Sequence, residues 1–263
     1  RAIKCALQEG YINKQCLLLV HAGQNSGKST WCRDLCPGGL KNYYTEEIGY
    51  GKDANIQLAN NFIVAFDDFD GESRSELGVK KSMMSKSFIN ERLPYDRTNS
   101  QLARICSFIG STNQITFLKD DTGSVRWLPF EMNGIIDFNY KTEMDIDNIW
   151  SQAYYLAYYD KSFDASITIE DIREIERSNG KYRELSPEEE IITKYYEPSN
   201  DMEDFKTATE IVKDLGDLKL RLTSINMGKA LTAKKFRRVK NSKRDCHGYL
   251  AKPLFDGSPL EIK

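Results

Sequence analysis

Histidine is nearly missing from this chain, with His21 and His247 the two it has. The six cysteines, Cys5, Cys16, Cys32, Cys36, Cys106 and Cys246, are scattered, so no ligand-spaced Cys and His pairs form and a zinc site is disfavoured. That scatter gives no disulfide lattice either, and reduced thiols in a cytoplasmic protein are expected. No apolar run approaches the ~20 residues that a membrane helix needs, so a membrane partner is not expected. An excess of positive charge is also lacking. The formal net charge is -2, so any nucleic-acid surface must be a local patch. Internal repeats and low-complexity tracts are absent. The opening "RAIKCALQEG" has neither an initiator Met nor a signal-peptide layout, which leads to the expectation of an excised fragment.

What is present reads as a layered α/β core followed by a smaller unit. "CLLLVHA", "NNFIVAFDDFD" and "ARICSFIGSTN" are apolar runs of strand length, and "GKSTWCRDL" is a helix stopped by "CPGG". "IDNIWSQAYYLAYYD" carries Ile146, Ile149, Trp150, Ala153, Tyr154 and Ala157 at helical spacing, which predicts a core-facing helix. Beyond Phe163 the chain turns charged and helical, with Ser186-Pro187 before three glutamates as a helix start. From Asp201, "FKTATEIVKDL" and "TSINMGKALTAKKF" read as helices and "RRVKNSKRDCHGYLAKPLF" as two strands around a turn. Helix, helix and hairpin in that order predict a winged helix-turn-helix. The expected division is 1–165 for the core, 166–200 for a helical connection and 201–263 for the winged helix.

"HAGQNSGKST" follows the first strand directly. A phosphate loop turns its backbone N–H groups inward, sends a lysine to the β/γ-oxygens and places the next hydroxyl on Mg²⁺. Gly27, Lys28 and Ser29 hold those places, with Gly23, Gln24, Asn25 and Ser26 as the loop and Thr30 continuing the helix. The pattern has a glycine where this chain has Ala22, which serves if its φ is negative. Asp67 and Asp68 end the second apolar strand, suited to the metal's water shell and to polarising an attacking water. Asn113, at the exit of the third strand, is placed to orient that water. ATP and Mg²⁺ are the ligands these residue types imply.

The three motifs together resemble a superfamily-3 helicase core, and more closely the virulence-associated protein E family of P-loop ATPases of phage and mobile elements. Lys81 with Ser85, then "RLPYDR" (92–97), "RICSFIGSTN" and "FLKDDTGSVRWLPF" carry the resemblance. Val125 stands where the family has the first of two arginines, and Arg126 keeps the second. The resemblance implies a P-loop ATPase ring driving DNA replication, with an upstream primase-like domain possible in the full-length protein. It makes Arg126 the first candidate for an arginine donated to a neighbouring site, with Arg97 and Arg104 behind it. It also places Lys81, Lys86 and Arg92 on a hairpin facing single-stranded DNA in the ring's channel, the alternative being a solvated face with Phe88 and Ile89 in the core.

The C-terminal basics, Lys229, Lys234, Lys235, Arg237, Arg238, Lys240, Lys243 and Arg244 against Asp245, would fall on the second helix and wing of a winged helix and meet duplex DNA. Protein interaction is the other use of such a module. An alternative whole reading is a DNA-binding protein that uses nucleotide as a switch, with Ala22 and Val125 in its favour. A small-molecule kinase would leave the basic wing without a role.

Overall fold

Three runs of apolar residues, none alternating with polar ones, build the centre of the first of two units, because strands of a parallel sheet covered on both faces bury side chains on both. The computed structural model describes residues 1–46, 48–49, 51–67, 73–119, 124–218 and 220–254. Asp68 and the stretch 120–123 of the family-like block lie outside the described residues.

Helix α1 (Ala2–Leu7) precedes β1 (Cys16–Val20), which leads into α2 (Lys28–Asp34). Then come β2 (Tyr44–Thr45), α3 (Lys52–Asn60), β3 (Ile63–Phe66) and α4 (Arg74–Ser85). A two-stranded antiparallel ribbon of β4 (Phe88–Glu91) and β5 (Ser100–Ala103) follows. The chain continues through β6 (Ser107–Thr112), β7 (Trp127–Glu131), α5 (Tyr140–Glu143), α6 (Ile146–Tyr158) and α7 (Ile169–Asn179). The main sheet runs β2-β3-β6-β1-β7, with every pairing parallel. β6 is thus inserted between β1 and β3, so the chain leaves β1, β3 and β6 at one common edge.

Strand alternation sends side chains to two different cores. Leu18, Val20, Val64, Phe66 and Phe108 join Leu58 of α3 and Leu77 and Met84 of α4. Leu19, Ile63, Ala65 and Ile109 instead meet Cys32 of α2, Cys36 and, partly buried, Trp150 of α6. An α/β core with a parallel central sheet is the result.

Helix α6 departs from its expected core-facing role. No residue of it is fully buried, and Tyr154 is 41% exposed. Trp150 is its anchor, donating Nε1–H to Leu35 O at 2.8 Å and meeting Phe62 edge-on at 5.0 Å. The periodicity found the apolar stripe but not its depth, because α6 flanks the layer rather than lying under another.

The chain divides into two compact units, Arg1–Glu184 and Leu185–Lys263. The division falls within the segment 166–200 that was expected to connect the two. Helix α7 belongs to the first unit, where Asn179 Nδ2 donates to Ser124 O at 2.7 Å and to Trp127 O at 3.0 Å, and Tyr182 joins the core. Helix α8 (Pro187–Tyr195) starts the second, with Ser186 and Glu189 forming a reciprocal cap. After β8 (Tyr196–Pro198) and β9 (Phe205–Lys206) come α9 (Ala208–Asp214), α10 (Ser224–Ala233) and the hairpin of β10 (Arg238–Asn241) with β11 (Cys246–Pro253). Strand β11 pairs antiparallel with β10, β8 and β9. Ile192, Ile211, Leu215, Met227, Leu231 and Tyr249 close the core of this second unit. Among the described residues no helix is long and apolar enough to cross a membrane.

Candidate functional site

Ligands of open α/β sheets bind beyond the carboxyl ends of the strands. The segment leaving β1 there turns twice with positive φ, at Asn25 (55°) and Gly27 (88°). Asparagine is among the few side chains that adopt this region readily, and glycine has no Cβ to oppose it. Ala22 is not among the residues with positive φ, so it meets the condition the sequence set for it. A further constraint falls on Gly23, where a Cβ would stand 2.8 Å from His21 Cε1. The His21 ring accepts from Gly23 N–H at Nδ1 over 3.1 Å and braces the loop. Sequence reasoning gave His21 no role, since a single histidine carries no spacing signal.

Lys28, the first residue of α2, is 6% exposed. Burying an ammonium is costly unless acceptors surround it. Its Nζ donates to Asn113 Oδ1 at 2.7 Å, Ser26 Oγ at 2.9 Å, Gly23 O at 3.2 Å and His21 O at 3.3 Å. The loop after β1 and the exit of β6 are thereby drawn onto one charge. Beside it, Ser29 Oγ donates to Asp67 Oδ1 at 2.7 Å, and Ser111 Oγ donates to the same oxygen at 2.5 Å. Ser111 is an addition to the expected set. Strand alternation puts it on the same face as Asn113, two residues on, which was the available clue.

Gln24, Asn25, Ser26, Gly27, Lys28, Ser29, Thr30, Asp67, Ser111 and Asn113 line one cavity of about 380 Å³. The residues expected to bind a cofactor, apart from Gly23, line it together with Asp67 and Asn113. One lysine, several hydroxyls and amides, and a single carboxylate make a lining suited to a polyanion with a hard cation. Cys32 lies one turn into α2, where burial first, and then the Asp67 charge, push its thiol up to about 12. It stays protonated and is no nucleophile.

Residues 1–184, the whole first unit, match the family described as virulence-associated protein E-like domain. The chain belongs to that family. No curated protein matches it. Among solved structures, an apo structure of the NrS-1 C-terminal region is similar at 14% identity and a TM-score of 0.47, covering 95% of this chain and 70% of that one. An A-form apo structure of the same region gives 14% and 0.41, with 95% and 71% covered.

The candidate arginines of this virulence-associated protein E-like domain are not among the residues that line the cavity. Arg126 directly precedes β7, whose first residue pairs with the first of β1. It is therefore at the amino edge of the sheet, about 16 Å of strand away from the loop. There it donates from Nε and Nη2 to Ser85 Oγ at 3.2 and 3.1 Å, while Ser85 donates to Lys81 O at 2.9 Å. Three residues that carried the family resemblance thus meet in one cluster. Arg104 is different. It is 1% exposed and donates to the carbonyls of Lys86, Cys106 and Asn13, which removes it from the finger candidates. Arg97 is exposed in the loop joining β4 to β5.

Of the basics expected on DNA, Lys81 is 9% exposed in α4 and Lys86 Nζ donates to Asn55 Oδ1 of α3. Lys81 is thus largely buried and Lys86 partly buried. Arg92 is exposed where β4 ends. With it on the ribbon's loop are Arg97 and Tyr95, the latter fully exposed at φ 71°. In the second unit Lys229, Arg237, Arg238 and Lys243 are exposed and Lys234 half-buried. Arg244 is engaged, its guanidinium bound to Glu210 of α9 and lying 5.4 Å from the Phe205 ring centroid.

Proposed function

We propose that this chain is a DNA-acting ATP hydrolase, a replicative helicase or initiator of a phage or mobile element, with a P-loop in its first unit and a winged helix in its second. The observation that carries this reading is the convergence of Lys28, Ser29, Asp67 and Asn113 on one cavity at the carboxyl ends of β1, β3 and β6. In the reading, the Lys28 ammonium exchanges the His21 and Gly23 carbonyls for β- and γ-phosphate oxygens, and the loop's N–H groups cradle the phosphates. Asn113, already bonded to Lys28, orients the attacking water beside the γ-phosphate.

The donor set fits Mg²⁺. Ser29 Oγ and Asp67 Oδ1 are hard oxygens 2.7 Å apart, and few protein ligands are needed where phosphates and waters complete the shell. Bound there, Mg²⁺ supplies neutralisation of the charge on the phosphates. Ser111 holds the Asp67 carboxylate toward Ser29. Asp68, the expected partner of Asp67, remains assigned by its place in the sequence alone.

The amino-edge position of Arg126 fits service to a neighbouring subunit rather than to its own cavity, as in a homo-oligomeric ring. The exposed loop with Arg92, Tyr95 and Arg97 suits single-stranded DNA, with cations for phosphates and a ring for a base. In the second unit, α10 and the β10–β11 hairpin carry the exposed basics that would meet duplex DNA.

Steady-state ATP hydrolysis with and without single-stranded DNA, beside Lys28→Ala, tests the proposal. DNA-stimulated turnover that falls by about 10²–10³-fold in the variant is expected. Turnover indifferent to DNA, or nucleotide bound without turnover, would overturn it in favour of a nucleotide switch.

A further inference from the structure

Residues 132–139 leave β7 and run along the outside of the loop. Met132 N donates to Val20 O at 2.9 Å and Ile136 N to Ser26 O at 3.0 Å, which ties this segment to β1 and to the cavity wall. A Cβ on Gly27 would stand 2.8 Å from Phe138 Cζ and 3.3 Å from Ile136 Cβ. The Phe138 ring therefore rests directly on the backbone of a cavity-lining residue. It is nonetheless 42% exposed, and Ile135, three residues earlier, is 74% exposed.

Single exposed aromatics are ordinary on protein surfaces. This one stands where the cavity has a need. The lining is polar apart from Gly27, from Gln24 round to Asn113, and offers phosphates everything but gives a nucleobase nothing to stack on. Nucleotide sites combine a few directed polar groups with apolar surface. With the phosphates in the cavity, sugar and base must leave over its rim, and Phe138 is fixed on that rim by Gly27. Lys141 Nζ lies over the ring, 5.4 Å from its centroid, and the Tyr140 ring is tilted beside it at 6.1 Å, while part of the Phe138 surface stays open to solvent.

We propose that Phe138 is the stacking seat for the base of the bound nucleotide. The assignment rests on the nucleotide reading of the cavity and adds the residue that distinguishes a nucleotide from a bare polyphosphate. Aromatic stacking of one base is expected to be worth about tenfold in Kd.

Equilibrium binding of Mg-ATP and of inorganic tripolyphosphate, measured on the full chain, separates the cases. Phe138→Ala and Phe138→Leu should each weaken ATP about tenfold and leave tripolyphosphate unchanged. Leucine keeps apolar bulk against Gly27, so its loss reports on the aromatic face and not on the loop's support. Equal losses for both ligands would mean that Phe138 merely props the loop, and the proposal would fall. Unchanged ATP affinity in both variants would also overturn it. A wild-type chain that binds neither ligand would remove the nucleotide reading itself, an outcome distinct from the other two.

Discussion

Arg104 puts its donors on three carbonyls drawn from α1's trailing loop, the end of α4 and its own neighbourhood: Asn13, Lys86 and Cys106. Its guanidinium also lies 5.4 Å from the Phe108 ring centroid. Removing such a group leaves buried acceptors unpaired, which costs more than the bonds themselves return. Arg104→Ala should destabilise the first unit by about 3 kcal/mol in urea unfolding, and Arg104→Lys should recover little, because an ammonium does not fork across separated carbonyls. A loss under ~1 kcal/mol would show that water replaces the guanidinium there. Arg104 also marks what was legible at this scale. Lys28, Ser29, Asp67 and Asn113, which meet at one cavity, could be named from the loop pattern after β1 and from polar residues ending apolar strands. Arg104, Lys81 and Lys86 could not be told from surface cations. Their burial depends on partners such as Asn13 and Asn55, far away in sequence. Ser111 was overlooked for the opposite reason, since a serine inside an apolar strand reads as filler until its neighbour strand delivers Asp67.

At the scale of elements, the ribbon of β4 and β5 presents Arg92, Tyr95 and Arg97 on one exposed loop while Ile89 is buried beneath it. Tyr95→Ala with Arg92→Ala should therefore abolish stimulation of hydrolysis by single-stranded DNA and leave basal turnover intact. Taking a cation away from a phosphate also makes DNA binding less sensitive to salt, since fewer counterions are released. Equal stimulation in the double variant would assign the contact with single-stranded DNA to other residues. In the second unit, the bond from Arg244, then the Thr207 N–H, hold the Glu210 carboxyl down to about 2. A depressed carboxylate contributes stability above its unfolded value near 4.5, and that contribution disappears as pH falls through about 2. Glu210 is 37% exposed in its side chain, so solvent screens the pair to about 0.2–1 kcal/mol. Melting of the chain and of Glu210→Gln between pH 6 and 2 should show a gap that closes in acid, and a constant gap would mean that the substitution disturbs packing rather than charge. The strands β1, β3 and β6 were readable from their apolar runs. The depth of α6 and the parting of α7 from α8 were not, because each helix is amphipathic alone and only its docking partner reveals which core it joins.

On the scale of the whole molecule, the two cores on the faces of the parallel sheet share no buried residue with the core that α8–α10 and β11 close in the second unit. Cooperative unfolding follows compact units, so two units without shared core residues should give two transitions. The family match ends at residue 184, where the first unit ends. The cavity lies wholly within that unit. A ligand that binds only the folded first unit raises its melting point through mass action and leaves the other unit untouched. Differential scanning calorimetry with Mg-ATP at ~100 times its Kd should therefore move one transition up by roughly 5–10 °C and hold the second in place. Lys28→Ala should lose the shift while keeping both transitions. Joint movement of the two would mean that the units unfold together, and the division at 184 would then be geometric without being energetic. No movement of either would count directly against a nucleotide in the cavity, whatever the hydrolysis assay returned.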